Sequence, residues 1–301
     1  MNTHKRFEGI LPALPTPYDE SGAVNGQALA QLIRYNLAKG VAGFYVCGST
    51  AEVFLLEPEE REEIYRLCAA EAKGKAALIA HVGDFSLARA VRYAKLCESL
   101  GYSAVSAVTP FYYNYSAEQI VTYYQALADA VSLPVLLYHI PACAGVTLER
   151  SAFDKLLSDE RCLGVKFTGN DYFTFERLRE RYPEKILYNG YDEMCLCGLA
   201  MGADGAIGTT YNLMAEKFIG IHRRCLNNDF VGARTIQHEA NDIIECMLAA
   251  GDVKAALKYA ISTQVGIPMG ICRAPGGGVS REWAEMFDAR FGGAFVPYRA
   301  E

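Results

Sequence analysis

Eight short apolar runs, each closing on small or polar residues and each followed by a stretch of helical period, constrain this chain more than any other feature. They are GILPAL (9–14), GFYVCG (43–48), ALIAHVG (77–83), AVSAVTP (104–110), PVLLYH (134–139), LGVKF (163–167), ILYNG (186–190) and GAIGT (205–209). Runs that are apolar on nearly every residue read as strands buried on both faces, as parallel strands covered by helices must be. The intervening stretches carry helix starts: Pro58 in a first turn, Ser86 before LARAVRYAKLCESL, and Ser116 with Gln119 in a capping-box pattern. In the Ser86 helix, Leu87, Ala90, Val91, Ala94 and Cys97 fall on one stripe, and Gly101 marks the stop. Eight βα units predict an α/β protein, a closed (β/α)8 TIM barrel. A doubly wound open sheet is the alternative, but it would carry a glycine fingerprint in its first βα turn, which here reads LPTPYDESG (14–22).

The alternation stops after Thr210. Residues 1–211 therefore read as the barrel. Residues 212–301 read as its last helix and a C-terminal helical extension packed on it, with no Pro-, Gly- or Ser-rich linker to make a second unit.

The chain has 301 residues, 51% hydrophobic and 21% charged, enough apolar material for an extensive core. A net charge of −6 provides no basic field for phosphates, which excludes nucleic acid and leaves a small molecule as the expected partner. The N-terminal MNTHKRFEGILPALPTP reaches prolines before any sustained apolar stretch, and no run is long enough to span a membrane. Ten cysteines lie at 47, 68, 97, 143, 162, 195, 197, 225, 246 and 272 without a CxxC pair; Cys195 and Cys197 lack the second ligand pair of a zinc site. They are expected to be reduced, packed thiols of a cytoplasmic protein.

Barrel enzymes carry their chemistry at the C-terminal ends of the strands. Lys166 ends the sixth run, LGVKFTG. A lysine buried there loses basicity and can attack a carbonyl as a Schiff-base former; a lysine snorkelling from the rim is the structural alternative. Tyr138 ends the fifth run, where a phenol can relay protons or simply pack. Ser49 and Thr50 follow the second run in CGSTAE, a turn whose hydroxyls and N–H groups can hold a carboxylate or merely cap a helix. Asp192 and Glu193 can bind sugar hydroxyls or complement a helix dipole, and no His or Cys stands at metal-ligand spacing beside them, so no metal is expected. His81 reads as a satisfied rim histidine, and GADGAIGTT (202–210) lacks the lysine of a phosphate loop.

Taken together, GST (48–50), SAVTPFYY (106–113), YHIP (138–141), GVKFTG (164–169), YNGYDE (188–193) and GADGAIGTTYN (202–212) resemble the N-acetylneuraminate lyases over nearly the whole chain. GST, Tyr138 and Lys166 identify only the wider superfamily shared with the dihydrodipicolinate synthases. Those synthases carry an arginine shortly after the YNxP segment, where this chain has Cys143.

The resemblance implies a retro-aldol cleavage of N-acetylneuraminate to N-acetylmannosamine and pyruvate. Lys166 forms the Schiff base and Tyr138 relays the proton; Ser49 and Thr50 hold the carboxylate, while Gly190, Asp192 and Glu193 hold the polyol. Thr168 and Thr209 complete the polar lining, and Tyr112 joins a hydroxyl relay near or across a subunit interface. It also implies no cofactor, since the lysine iminium is the electron sink, and a homotetramer. Another pyruvate-dependent aldolase acting on a different sugar acid, and a non-catalytic binding descendant of the barrel, are the competing readings. Ala51 for the usual glycine, His139 for the usual asparagine and Thr209 for a common serine depart from the family pattern and bear on the shape of the pocket.

Overall fold

The computed structural model describes residues 5–299. Eight strands, β1 (Gly9–Pro12), β2 (Gly43–Val46), β3 (Ala77–His81), β4 (Ala104–Val108), β5 (Val135–His139), β6 (Cys162–Phe167), β7 (Ile186–Asn189) and β8 (Gly205–Gly208), pair in parallel, each with its neighbour in sequence. β1 pairs with β8. Ala42 N–H donates to Ile10 O at 3.0 Å and Leu14 N–H to Tyr45 O at 3.0 Å, so β1 also meets β2 and the sheet closes into the expected barrel.

The strands are four to six residues long, and all except β6, which begins one residue earlier at Cys162, are shorter than the apolar runs that announce them. The reason is local: Cys47 has φ +57 just past β2, and Pro110 has no N–H to continue β4. Those trailing residues leave the ladder and build the turns of the mouth.

Alternation along each strand separates two apolar regions. One side chain set, including Leu11, Tyr45, Ile79, Val108, Leu136, Tyr138, Tyr188 and Ile207, fills the barrel interior. The other, including Ile10, Phe44, Val46, Leu78, Val105, Leu137, Val165, Phe167 and Leu187, faces the helices.

The helices are α1 (Gly26–Ala38), α2 (Pro58–Ala72), α3 (Leu87–Leu100), α4 (Ala117–Ala130), α5 (Pro141–Ala144), α6 (Arg150–Leu157), α7 (Tyr172–Arg181), α8 (Cys195–Ala200) and α9 (Tyr211–Leu226). They are followed by α10 (Phe230–Leu248), α11 (Val253–Ala260), which runs into a π-turn at Ile261–Val265, and α12 (Arg281–Phe291). Pro58 opens α2, the Ser116–Gln119 capping box opens α4, and Ser86 caps α3, which ends at Gly101 in the left-handed region. On α3 the buried stripe is Ala90, Tyr93, Ala94 and Cys97, whereas Leu87 is exposed. Tyr93 displaces Leu87 because its ring packs on Tyr65 and under the Arg61 guanidinium.

α9 closes the eightfold repeat, α10 packs along it and against α8, and α11 packs on α10. Among the described residues no helix is long and apolar enough to cross a membrane. All ten cysteines are free and seven are buried, but Cys143 and Cys197 are exposed on the short helices α5 and α8.

Candidate active site

The parallel register sets Val108 beside Tyr138, Tyr138 beside Lys166 and Lys166 beside Tyr188, so the residues at the ends of four strands share one layer. Lys166 is 5% exposed and points into the mouth, not out of it. Its Nζ stands 3.9 Å from the centre of the Tyr138 ring and 4.4 Å from that of Tyr45. Burial lowers its pKa to about 7, against the opposing pull of Asp192 and Cys143. At neutral pH the amine is thus available as a nucleophile, which a rim lysine would not be.

Tyr138 is buried, and desolvation pushes its phenol up to about 12 while the Ser49 hydroxyl, 3.4 Å away, pulls it down. The phenol is therefore a hydroxyl that can pass a proton along a chain rather than a standing phenolate. Tyr45 was not singled out from the sequence because it sits inside an apolar strand. Its inward parity was the available signal, and its hydroxyl pairs with Ser106 Oγ at 3.0 Å. His81 accepts from Val108 N–H at Nε2 (3.1 Å), which leaves its Nδ1–H to donate to Cys47 O (2.9 Å). Both ring nitrogens are used, burial drives its pKa well down, and the ring stands edge-on to Tyr138 as packing.

Ser49 and Thr50 lie in a single 3-10 turn, Ser49–Ala51, after β2. Thr50 Oγ1 and Thr209 Oγ1 are 2.6 Å apart, which joins this turn to the end of β8. The turn is held from behind by Thr16, whose hydroxyl donates to Ala51 O at 2.8 Å. Ala51 is itself buried, so the methyl group that replaces the usual glycine hydrogen is accommodated.

After β7, Asp192 and Glu193 form another 3-10 turn, Asp192–Met194. Asp192 is buried, and its Oδ2 accepts from both the N–H and the hydroxyl of Thr210, each at 2.6 Å. Burial raises its carboxyl to about 6 against those two hydrogen bonds. A side chain at Gly208 would lie 2.1 Å from Asp192 Oδ1, and one at Gly190 would lie 1.9 Å from Thr168 Oγ1, so both positions need a hydrogen. Thr168 Oγ1 is buried beside Tyr138 and lowers its pKa, yet it has no hydrogen bond of ordinary geometry.

The Asp192–Met194 turn is braced by α10. Gln237 Nε2 donates to Asp192 O at 3.1 Å and to Asn241 Oδ1 at 2.9 Å, Asn241 Nδ2 donates to Glu193 O at 3.2 Å, and Gln237 Oε1 accepts from Leu196 N–H at 3.0 Å. Gln237 and Asn241 were missed in the sequence, although a buried glutamine on the Ala233–Ala240–Ile244 face of a helix is a readable anomaly.

The structure sets Lys166, Tyr138, Ser49 and Thr168 side by side and ties Thr50 to Thr209 and Asp192 to Thr210, whereas Tyr112 is exposed and meets only Tyr113. A cleft of about 280 Å³ is lined by Ser49, Glu52, His81, Phe111, Cys143 and Lys254 among others. His139 does not shape this space. Its side chain lies on the helix side of β5, between the rings of Phe153 (5.3 Å) and Phe167 (4.8 Å), where burial lowers its pKa to about 4. Among the described residues no cluster of three or more His, Cys, Asp or Glu side chains is placed to hold a metal ion.

A desolvated lysine amine at the C-terminal mouth of a (β/α)8 barrel, with a phenol over it and a hydroxyl turn facing it, defines a class I carbon–carbon lyase. The sequence profile of the dihydrodipicolinate synthetase family matches residues 6–291, and the chain belongs to that family.

Within it, the chain is 40% identical over 270 residues to N-acetylneuraminate lyase 2 of Escherichia coli O6:H1, covering 89% of this chain and 88% of that protein. It superposes on Clostridium difficile CdNal, solved in complex with mannosamine, with a TM-score of 0.91 at 36% identity, over 95% of this chain and 99% of that one. The N-acetylneuraminate lyase of Fusobacterium nucleatum gives a TM-score of 0.89 at 37% identity, over 95% and 99%.

Proposed function

We propose that this protein cleaves N-acetylneuraminate reversibly to N-acetylmannosamine and pyruvate, with Lys166 as the Schiff-base lysine. The observation that carries the reading is the Lys166 amine, held against the Tyr138 ring with a pKa near 7, in a chain 40% identical to a curated lyase of that name.

The neutral amine attacks C2 of the open-chain sugar acid, and loss of water leaves an iminium. Ser49 and Thr50 hold the C1 carboxylate from their 3-10 turn. The C4 hydroxyl proton leaves through the Tyr138 phenol, with Ser49 Oγ next in the relay. The C3–C4 bonding pair then flows into the iminium. This frees N-acetylmannosamine as an aldehyde and leaves an enamine. The proton returns to C3, and water hydrolyses the new iminium to pyruvate and the free amine. The iminium is the electron sink, so no metal or cofactor takes part in this sequence.

Gly190, Asp192 and Glu193 would take the polyol, and Thr168 and Thr209 would complete the polar lining. With Asp192 Oδ2 already engaged by Thr210, Asp192 offers a sugar hydroxyl its other oxygen and chiefly fixes the turn that presents Glu193. We place the enzyme in the cytoplasm as a homotetramer, supported by ten free thiols and by an exposed aromatic face beside the mouth that includes Phe85, Tyr112 and Tyr113. Light scattering in solution checks the assembly.

Incubation with N-acetylneuraminate followed by a pyruvate assay tests the activity. A folded sample that releases no pyruvate overturns it, and release only from a different sugar acid reassigns the substrate. Borohydride reduction in the presence of pyruvate should add one pyruvyl mass at Lys166.

A further inference from the structure

The Ser49–Ala51 turn is a single 3-10 turn, and it ends on Glu52, a non-glycine residue at φ +57. One turn of that kind does not hold itself, and a left-handed glutamate needs its surroundings to fix it. Glu52 is buried, and its carboxylate meets two groups from the far end of the chain. Lys258 Nζ, on α11, lies 2.5 Å from Oε1, and Arg273 N–H donates to Oε2 at 2.7 Å. Both members of the ion pair are out of solvent, with side chains 1% and 0% exposed. Lys258 also donates to Ile271 O at 3.2 Å and sits 4.2 Å over the Tyr18 ring, so a carboxylate, a carbonyl and a ring face hold its ammonium.

A buried ion pair is a poor source of net stability compared with apolar residues of the same size, so its presence calls for another role. Its position three residues beyond Ser49 supplies one. We propose that Glu52 and Lys258 form a charged clamp that sets the Ser49–Thr50 turn for carboxylate binding, which makes Lys258 a positioning residue for recognition of the 2-oxo acid. The clamp fixes direction as well as place: the Glu52 carboxylate takes its two donors on separate oxygens, so the turn cannot rotate about that side chain without breaking one. The inference rests on the reading that Ser49 and Thr50 hold the substrate carboxylate.

The test compares the rates of borohydride trapping at Lys166 with pyruvate and with hydroxyacetone, a ketone without a carboxylate. The neutral double variant Glu52→Gln/Lys258→Met removes the charges without stranding one. It should melt within a few degrees of the parent while its pyruvate-to-hydroxyacetone trapping ratio falls about tenfold, as loss of substrate placement predicts. Ser49→Ala is the reference and should lower the same ratio. A lowered ratio in Ser49→Ala with an unchanged ratio in the double variant overturns the clamp. An unchanged ratio in both overturns the carboxylate reading beneath it, and the clamp with it. Lys258→Arg, which keeps the charge, should retain most of the parent's ratio. If the double variant does not fold, Lys258→Ala carries the comparison: a ratio equal to that of Lys258→Arg overturns the proposal.

Discussion

The two sides of the mouth solve one problem in different ways. Each carries its proposed binding groups on a single 3-10 turn, Ser49–Ala51 on one side and Asp192–Met194 on the other, and each is tied in part to chain beyond the eightfold repeat. Beyond the Thr16 and Thr209 hydroxyls, the first is held by charge, through Glu52 and Lys258, with the Arg273 amide on the same carboxylate. The second is held by neutral groups, through Gln237, Asn241 and the Thr210 pair on Asp192. The difference matches what each side would face. A carboxylate is common to every 2-oxo acid, so a rigid charged mount suits it, whereas a polyol differs from sugar to sugar and suits a mount of exchangeable amides.

The largest effect should come from the residue where the two sides meet. Lys166→Met should lose at least about 10⁴-fold in kcat and all borohydride-trapped pyruvyl mass, read by mass spectrometry. The same change should raise stability. The amine's pKa is lowered from 10.5 to about 7 on folding, so the folded state binds protons less well than the unfolded chain. The folded state therefore carries its full penalty below about pH 7 and loses it as pH rises toward 10.5. Removing the amine should raise the unfolding free energy at pH 6 by roughly 2 kcal/mol, and by little at pH 10, checked by denaturant melts at both.

Tyr138→Phe should lower kcat by roughly 10²–10³-fold with pyruvate trapping largely intact, since the ring that packs on the amine stays while the relay goes. Trapping kinetics with pyruvate should rise with pH through an apparent pKa near 7 and then level off, following the free amine. A flat profile between pH 6 and 8 would contradict the buried-amine account.

On the amide-held side, Glu193→Gln should raise KM for the sugar acid by roughly tenfold and leave pyruvate trapping unchanged. The smallest effect belongs to the brace. Gln237→Leu leaves Asp192 O and Leu196 N–H without their partner, which should cost about 1–3 kcal/mol of stability and a few-fold in KM for the sugar alone. If Gln237→Leu slowed pyruvate trapping as well, the two sides would not be independent and the contrast between them would fail.

Much of the fold was legible because it is local and repeated. Strand runs, the Ser116–Gln119 box and the Gly101 stop depend on neighbours in sequence, and they appear where the pattern puts them. Lys166 was legible because a lysine in an apolar run has few explanations. What could not be read was long-range: Glu52 and Lys258 are 206 residues apart, and nothing in GSTAE or VKAALKYA says that they meet. His139 was expected to bear on the pocket, but strand parity turns it away from Tyr138 and toward the helices. The stripe on α3 went astray for a related reason, since a tyrosine's depth depends on what it packs against and not on its period alone.

The separation of Glu52 from its partners has a consequence for how the molecule is made. A nascent chain has completed all eight strands by Gly208, while Lys258 and Arg273 are still to be synthesised. During that interval the turn carries a buried-to-be carboxylate with no cation to meet. The last fastening of the mouth is therefore timed by translation: it closes only when the C-terminal helices arrive.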